Sequence, residues 1–148
     1  MTQEAALNII KSGHNIFLTG APGAGKTYVL NQYIDHLRKH GVEVAITAPT
    51  GIAASHLGGM TIHSFFGLGI KEKLNQYDLE NLTEKKYLWD RMKELKVLVI
   101  DEVSMLSPDI FRSIDAILKT FKFSQEPFGG IQVIFTGDFF QLPPISNN

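Results

Sequence analysis

Residues 20–27 read Gly-Ala-Pro-Gly-Ala-Gly-Lys-Thr and fill every defined position of a G-x-x-x-x-G-K-T phosphate-binding loop. Gly20, Gly23 and Gly25 allow a tight turn and bring backbone N–H groups against phosphate oxygens, where a Cβ would obstruct. Ala24 lies between two of these glycines and is counted with the residues that cradle phosphate. The Lys26 ammonium reaches the outer phosphates as a point charge, and the Thr27 hydroxyl is a ligand for Mg²⁺. The chemistry implied is the binding of a nucleoside triphosphate with its magnesium ion.

The flanks agree with that loop. Asn15 to Thr19 is a short apolar run of strand length. From Lys26 onward, Val29, Leu30, Tyr33, Ile34 and Leu37 recur at helical spacing, and Gly41 supplies the stop. Strand, glycine loop, helix is the order that sets phosphates on a helix N-terminus.

A second chemical group stands further along. Val97-Leu98-Val99-Ile100 is a continuous apolar run typical of a buried parallel strand, and it closes on Asp101-Glu102. Downstream of a phosphate loop, that pair reads as the metal and base site. Asp101 holds Mg²⁺, directly or through water, and Glu102 orients and deprotonates an attacking water. Ile131 to Phe135 is a further apolar strand, followed by Gly137-Asp138-Phe139-Phe140-Gln141-Leu142-Pro143-Pro144. If that fourth strand lies between the first and third, Gln141 emerges beside the γ-phosphate and can sense it. By spacing alone Gln141 is equally an ordinary loop residue.

The elements that position these groups are legible in outline. Residues 3–11 carry Ala6, Leu7, Ile9 and Ile10 and predict a short helix; residues 42–47 alternate and predict the second strand. Residues 70–82 are polar without a clear period and read as an irregular insertion. Leu88, Trp89, Met92 and Leu95 predict a helix. Ser107-Pro108 is a helix start, with Ile110, Phe111, Ile114, Ile117, Leu118 and Phe121 in period behind it. Strands alternating with helices predict an α/β fold with a parallel, doubly wound sheet and ligands at the strand C-terminal ends.

Composition bounds the rest. The chain has 148 residues, enough for one domain with a real core. It contains no cysteine, which excludes disulfides and thiolate metal sites. No apolar stretch approaches a membrane span and the N-terminus does not read as a signal peptide, so the expectation is a cytoplasmic protein with no membrane partner. With 14 Lys+Arg against 15 Asp+Glu, any nucleic-acid binding has to come from local groups, not from the overall field.

Together these segments resemble the superfamily-one DNA helicases, and within them the petite-integration-frequency (PIF) type related to the RecD-like helicases. The matching stretches are Gly20 to Thr27, Thr47 to Ala54, Gly59 to Gly67, Asp101 to Met105 and Gly137 to Pro144. The segment from Ile114 through Pro127-Phe128-Gly129-Gly130-Ile131-Gln132 resembles the PIF signature. The resemblance implies a RecA-like P-loop NTPase domain spanning residues 1–148, truncated after the fourth core strand. It is the first of two motor domains in a longer parent, the second being absent from this polypeptide.

The resemblance also implies roles for individual residues. Gln3 stands where such helicases place an adenine-reading glutamine, which makes ATP the nucleotide. Thr47 to Gly51 looks like a loop that grips single-stranded DNA phosphates, with Pro49, Thr50 and Gly51 as its contacts. His63 and Ser64 look like the next DNA-facing residues; of the neighbouring Phe65 and Phe66, at least one is expected in the core. Lys26, Glu102 and Gln141 carry catalysis. The parent is then an ATP-dependent 5′–3′ DNA helicase of the repair, recombination and telomere-maintenance type, from a bacterial or phage-like source. This polypeptide alone is expected to bind ATP, turn it over very slowly and not unwind duplex. Two other readings remain: a DNA-stimulated ATPase of the loader type, and a nucleotide-dependent DNA- or protein-binding module without turnover. A missing neighbour strand predicts an exposed edge at Asn15–Thr19 and self-association through it.

Overall fold

The computed structural model describes residues 2–20 and 25–138. Thr2 accepts the Ala5 N–H at 3.0 Å and starts helix α1, Gln3–Lys11. Strand β1 (Ile16–Gly20) runs into the phosphate loop and helix α2 (Lys26–Lys39) leaves it. Gly41 ends α2 at φ 71°, where its N–H meets the Arg38 carbonyl at 3.1 Å. Then follow β2 (Glu43–Ala48), α3 (Gly51–His56), β3 (Met60–Thr61), α4 (Ile62–Phe66), α5 (Gln76–Thr83) and α6 (Lys86–Glu94). The chain continues through β4 (Leu95–Ile100), α7 (Pro108–Lys122) and β5 (Gln132–Asp138). As the sequence predicts, Ser107 caps α7, accepting the Ile110 N–H at 3.1 Å, with Pro108 in the first turn.

All strand pairs are parallel and the order is β1-β5-β4-β2-β3. The strand that carries Gly137 and Asp138 therefore lies between the loop strand and the acidic strand. Successive residues of β4 face opposite layers. Val97 and Val99 pack with Ile10, Leu30, Tyr33 and Ile34 of α1 and α2. Leu98 and Ile100 pack with Phe66, Leu88, Met92 and Ile114 on the other face. From Val97 to Ile100 the strand is covered on both sides, which leaves no place there for alternating polar residues. The fold is the α/β doubly wound, RecA-like one. Among the described residues no helix is long and apolar enough to cross a membrane. β1 forms one edge of the described sheet, and Phe17 on it is 42% exposed.

Three elements differ from the sequence reading. The segment read as irregular contains α5, started by a reciprocal cap: Asn75 Oδ1 accepts the Asp78 N–H, and Asp78 Oδ2 accepts the Asn75 N–H, each at 2.9 Å. Lys71 pairs with the same carboxylate at 2.7 Å. Only Leu82, with Leu79 partly, turns inward, so hydrophobic period gave no signal. β5 runs to Asp138, past Phe135, because its last residues still pair with β1. The two-residue β3 is too short to show a pattern; it pairs Met60 and Thr61 with Thr47 and Ala48.

Candidate functional site

The predicted chemical groups converge where the parallel strands end. Lys26 and Thr27 open α2, and Asp101 and Glu102 leave β4. All four line one cavity of about 260 Å³, together with Leu30, His56, Leu57 and Thr136. Gly20 closes β1 and is paired with Asp138. Gly25 precedes Lys26 in a left-handed conformation, φ 87°, that glycine adopts without steric cost. Gly25, the residue before α2, has no side chain to cap the helix, which suits a phosphate on the first N–H groups. Gly23, Ala24 and Gln141 lie outside the described residues.

The acidic pair is held by backbone and side chain. The Asp101 N–H donates to the Thr47 carbonyl at 2.8 Å. Its Oδ1 accepts the hydroxyl of Thr136 on β5. Glu102 adopts φ 49° and ψ 47°, a left-handed conformation that costs an ordinary L-residue about 1–2 kcal/mol. Strain of this kind is retained where the direction of a side chain matters.

Gln3 stands at the start of α1 against the phosphate loop. A Cβ placed on Gly25 would overlap the Gln3 amide nitrogen. Gln3 also lines a smaller cavity with Glu4, Leu7, Tyr28, Val29 and Gln32. The far end of α1 is anchored by Gln132 at the start of β5. Its Nε2 donates to the carbonyls of Ile10 and His14, both at 2.9 Å, while its Oε1 accepts the Tyr33 hydroxyl at 2.7 Å. Burial raises the Tyr33 pKa, opposed by that bond to Gln132.

The residues read as DNA-facing leave neighbouring strands. Thr61 pairs with Ala48, so residues 49–51 and 62–64 start side by side. Thr50 is the cap of α3 and accepts the Ala53 N–H at 3.2 Å. Pro49 and Thr50 are half-buried and Gly51 is exposed; His63 is half-buried and Ser64 exposed. Thr47 is a correction to the sequence reading. It is fully buried and its hydroxyl donates to the Val99 carbonyl at 2.8 Å, so it joins two strands and presents nothing to a nucleic acid. Phe65 and Phe66 both pack in the core.

Sequence reasoning missed Thr136, His56 and Leu57 on the cavity wall, and Arg91. Arg91 Nη1 donates to the Phe65 carbonyl at 2.6 Å and the Ser64 carbonyl at 3.3 Å. Its guanidinium lies 5.0 Å from the Phe65 ring centre and 5.5 Å from that of Tyr87. It thereby ties α6 to the C-terminal carbonyls of α4. The signal for Thr136 was its place just before Gly137-Asp138; nothing in the sequence marked Arg91.

A larger cavity, about 560 Å³, runs along β2 from Glu43 to Ile46 and is lined also by Met60, Phe65, Arg91 and Leu95. Size does not decide between them, because only the smaller one gathers a phosphate-loop lysine and two carboxylates.

Comparison with known proteins agrees with this geometry. An ATP-dependent DNA helicase Pif1 from Psychrobacter sp. is 54% identical over 147 residues, which is 99% of this chain and 22% of that protein. The structure of Bacteroides Pif1 bound to ssDNA superposes with a TM-score of 0.79 at 41% identity, over 98% of this chain and 33% of that one. Bacteroides sp Pif1 in complex with ADP-AlF4 gives 0.79 at 40%, over 99% and 33%. The chain thus spans about a fifth to a third of these relatives. The profile of the PIF1-like helicase family covers residues 2–148, and the chain belongs to that family.

Proposed function

We propose that residues 1–148 form the ATP-binding motor domain of an ATP-dependent 5′–3′ DNA helicase, which couples nucleotide turnover to movement along single-stranded DNA. The observation that carries this reading is the single cavity lined by Lys26, Thr27, Asp101 and Glu102. The relatives named above are ATP-dependent DNA helicases, and solved ones hold ADP-AlF4 or single-stranded DNA.

Mg²⁺ suits the donors present. Thr27 supplies a hydroxyl and Asp101 a carboxylate, both hard oxygen ligands. Among the described residues no group of three or more His, Asp or Glu is placed to cage an ion. Magnesium that arrives with phosphate oxygens does not require one. When bound, the ion neutralises charge that develops on the phosphates during transfer. Lys26 binds the outer phosphates, Asp101 orients toward the ion, and Glu102 takes the proton of the attacking water. Gln3 reads the adenine, and Gln141 senses the γ-phosphate. Pro49, Thr50, Gly51, His63 and Ser64 meet the DNA strand.

A second motor domain supplies what one domain cannot, a partner to step against and the arginines that accelerate turnover by roughly 10³–10⁵ in related sites. Residues 1–148 tested on their own are expected to bind ATP, hydrolyse it slowly and leave duplex DNA paired. Single-turnover hydrolysis with and without single-stranded DNA tests this. ATP binding with slow, Lys26-dependent turnover supports the reading. Absence of nucleotide binding overturns it.

A further inference from the structure

Thr136 is a buried polar residue to which phosphate-loop chemistry assigns no part. It is 2% exposed. The register of β5 sets it beside Leu18 of β1 on one side. On the other side, one step past the Ile100–Phe135 pair, stands Asp101. Its hydroxyl has one hydrogen to give and gives it to Asp101 Oδ1. The Asp101 main chain is held independently, through Thr47 of β2. Backbone and carboxylate are thus fastened to two different strands.

We propose that Thr136 is a positioning residue that fixes the Asp101 carboxylate so that it meets the nucleotide's magnesium ion in one orientation. The inference rests on the reading of this cavity as a Mg²⁺–ATP site. A hydroxyl bonded to a metal-facing carboxylate limits its rotation, and such outer partners matter to metal affinity. Thr136 does this from the strand that also carries Gly137 and Asp138, so the metal-facing group and the sensor strand are joined by a side-chain bond.

The test is equilibrium binding of a fluorescent ATP analogue to the 148-residue chain at increasing Mg²⁺, and again in EDTA. Thr136→Val keeps the branched shape and removes the donor; Thr136→Ser keeps the donor. The half-saturating Mg²⁺ concentration is expected to rise roughly tenfold or more in Thr136→Val and to return toward the wild-type value in Thr136→Ser. Affinity in EDTA should be the same for all three. If the valine variant does not fold, as judged by its melting curve, Thr136→Ala against Thr136→Ser carries the same comparison. Equal Mg²⁺ dependence of the donor-keeping and donor-lacking variants overturns the proposal. A wild-type chain that binds the analogue no better with Mg²⁺ than without overturns the site reading, and this inference with it.

Discussion

The side-chain amide of Gln3 lies against Gly25, so the first residue of α1 and the last glycine of the phosphate loop leave no space for a methyl group between them. A glutamine amide offers a donor and an acceptor together, the pattern that an adenine edge complements. Gln3→Ala is expected to weaken ATP binding about 2- to 10-fold, the worth of an ordinary hydrogen bond, with little change for GTP. Competition between the two nucleotides for the labelled analogue measures this. Equal losses for both would remove Gln3 from base recognition.

Charge at the loop has a larger effect. Lys26→Ala removes a charged donor to phosphate and should lower nucleotide affinity roughly 10- to 100-fold. Unchanged affinity would contradict the loop assignment.

Glu102 separates stability from chemistry. Glu102→Gln should retain ATP binding and lose turnover when placed in a two-domain parent helicase. Glu102→Gly relieves the left-handed strain at φ 49° and should leave the domain as stable as wild type or up to about 1 kcal/mol more so. Denaturant unfolding gives the sign. A clear loss of stability would mean that the glutamate side chain holds its own turn.

Arg91 offers a test of the segment proposed to face DNA, through its support. Arg91→Lys keeps the charge but loses the planar guanidinium that lies over Phe65 while its Nη1 bonds the two carbonyls. We expect Arg91→Lys and His63→Ala to weaken single-stranded DNA binding several-fold, consistent with about 1 kcal/mol, and to spare ATP affinity. Fluorescence anisotropy with an oligonucleotide reports the first and analogue titration the second. DNA affinity that survives both substitutions would place the strand elsewhere.

Acid should loosen the α5 start. The Lys71 ammonium and the Asn75 N–H hold the Asp78 pKa below its ordinary value. A carboxyl depressed on folding stabilises the fold above the unfolded value, near pH ~4, and that contribution fades as pH falls through the folded one. Asp78→Asn should therefore melt below wild type at neutral pH, and the two melting temperatures should approach each other in acid. A gap that is constant with pH would exclude the charge as its source.

The legible parts of this protein are those where one physical demand dominates. The phosphate loop was plain because approach to phosphate tolerates few residue types, and β4 because a strand buried on both faces reads as an unbroken apolar run. Thr47 and Thr50 show the opposite case. They are the same residue type three positions apart; one hydroxyl bridges two strands and the other caps a helix, a distinction set by pairing with β4. α5 escaped because its cap is polar and its inward face small. The signature segment from Ile114 to Gln132 proved architectural. Asp115 accepts the Phe128 N–H at 2.7 Å, and a Cβ on Gly129 would overlap the Leu118 carbonyl, so the motif records how a turn seats against α7.

The placement of β5 between β1 and β4 makes it a ruler for the cavity at the strand ends. Its width separates the strand that delivers the lysine from the strand that delivers the carboxylates. A slip or twist of this one spacer alters the distance between opposite charges, one of which it also holds through Thr136. Variants along β5 should accordingly change how the lysine and the carboxylates are spaced while leaving both in place.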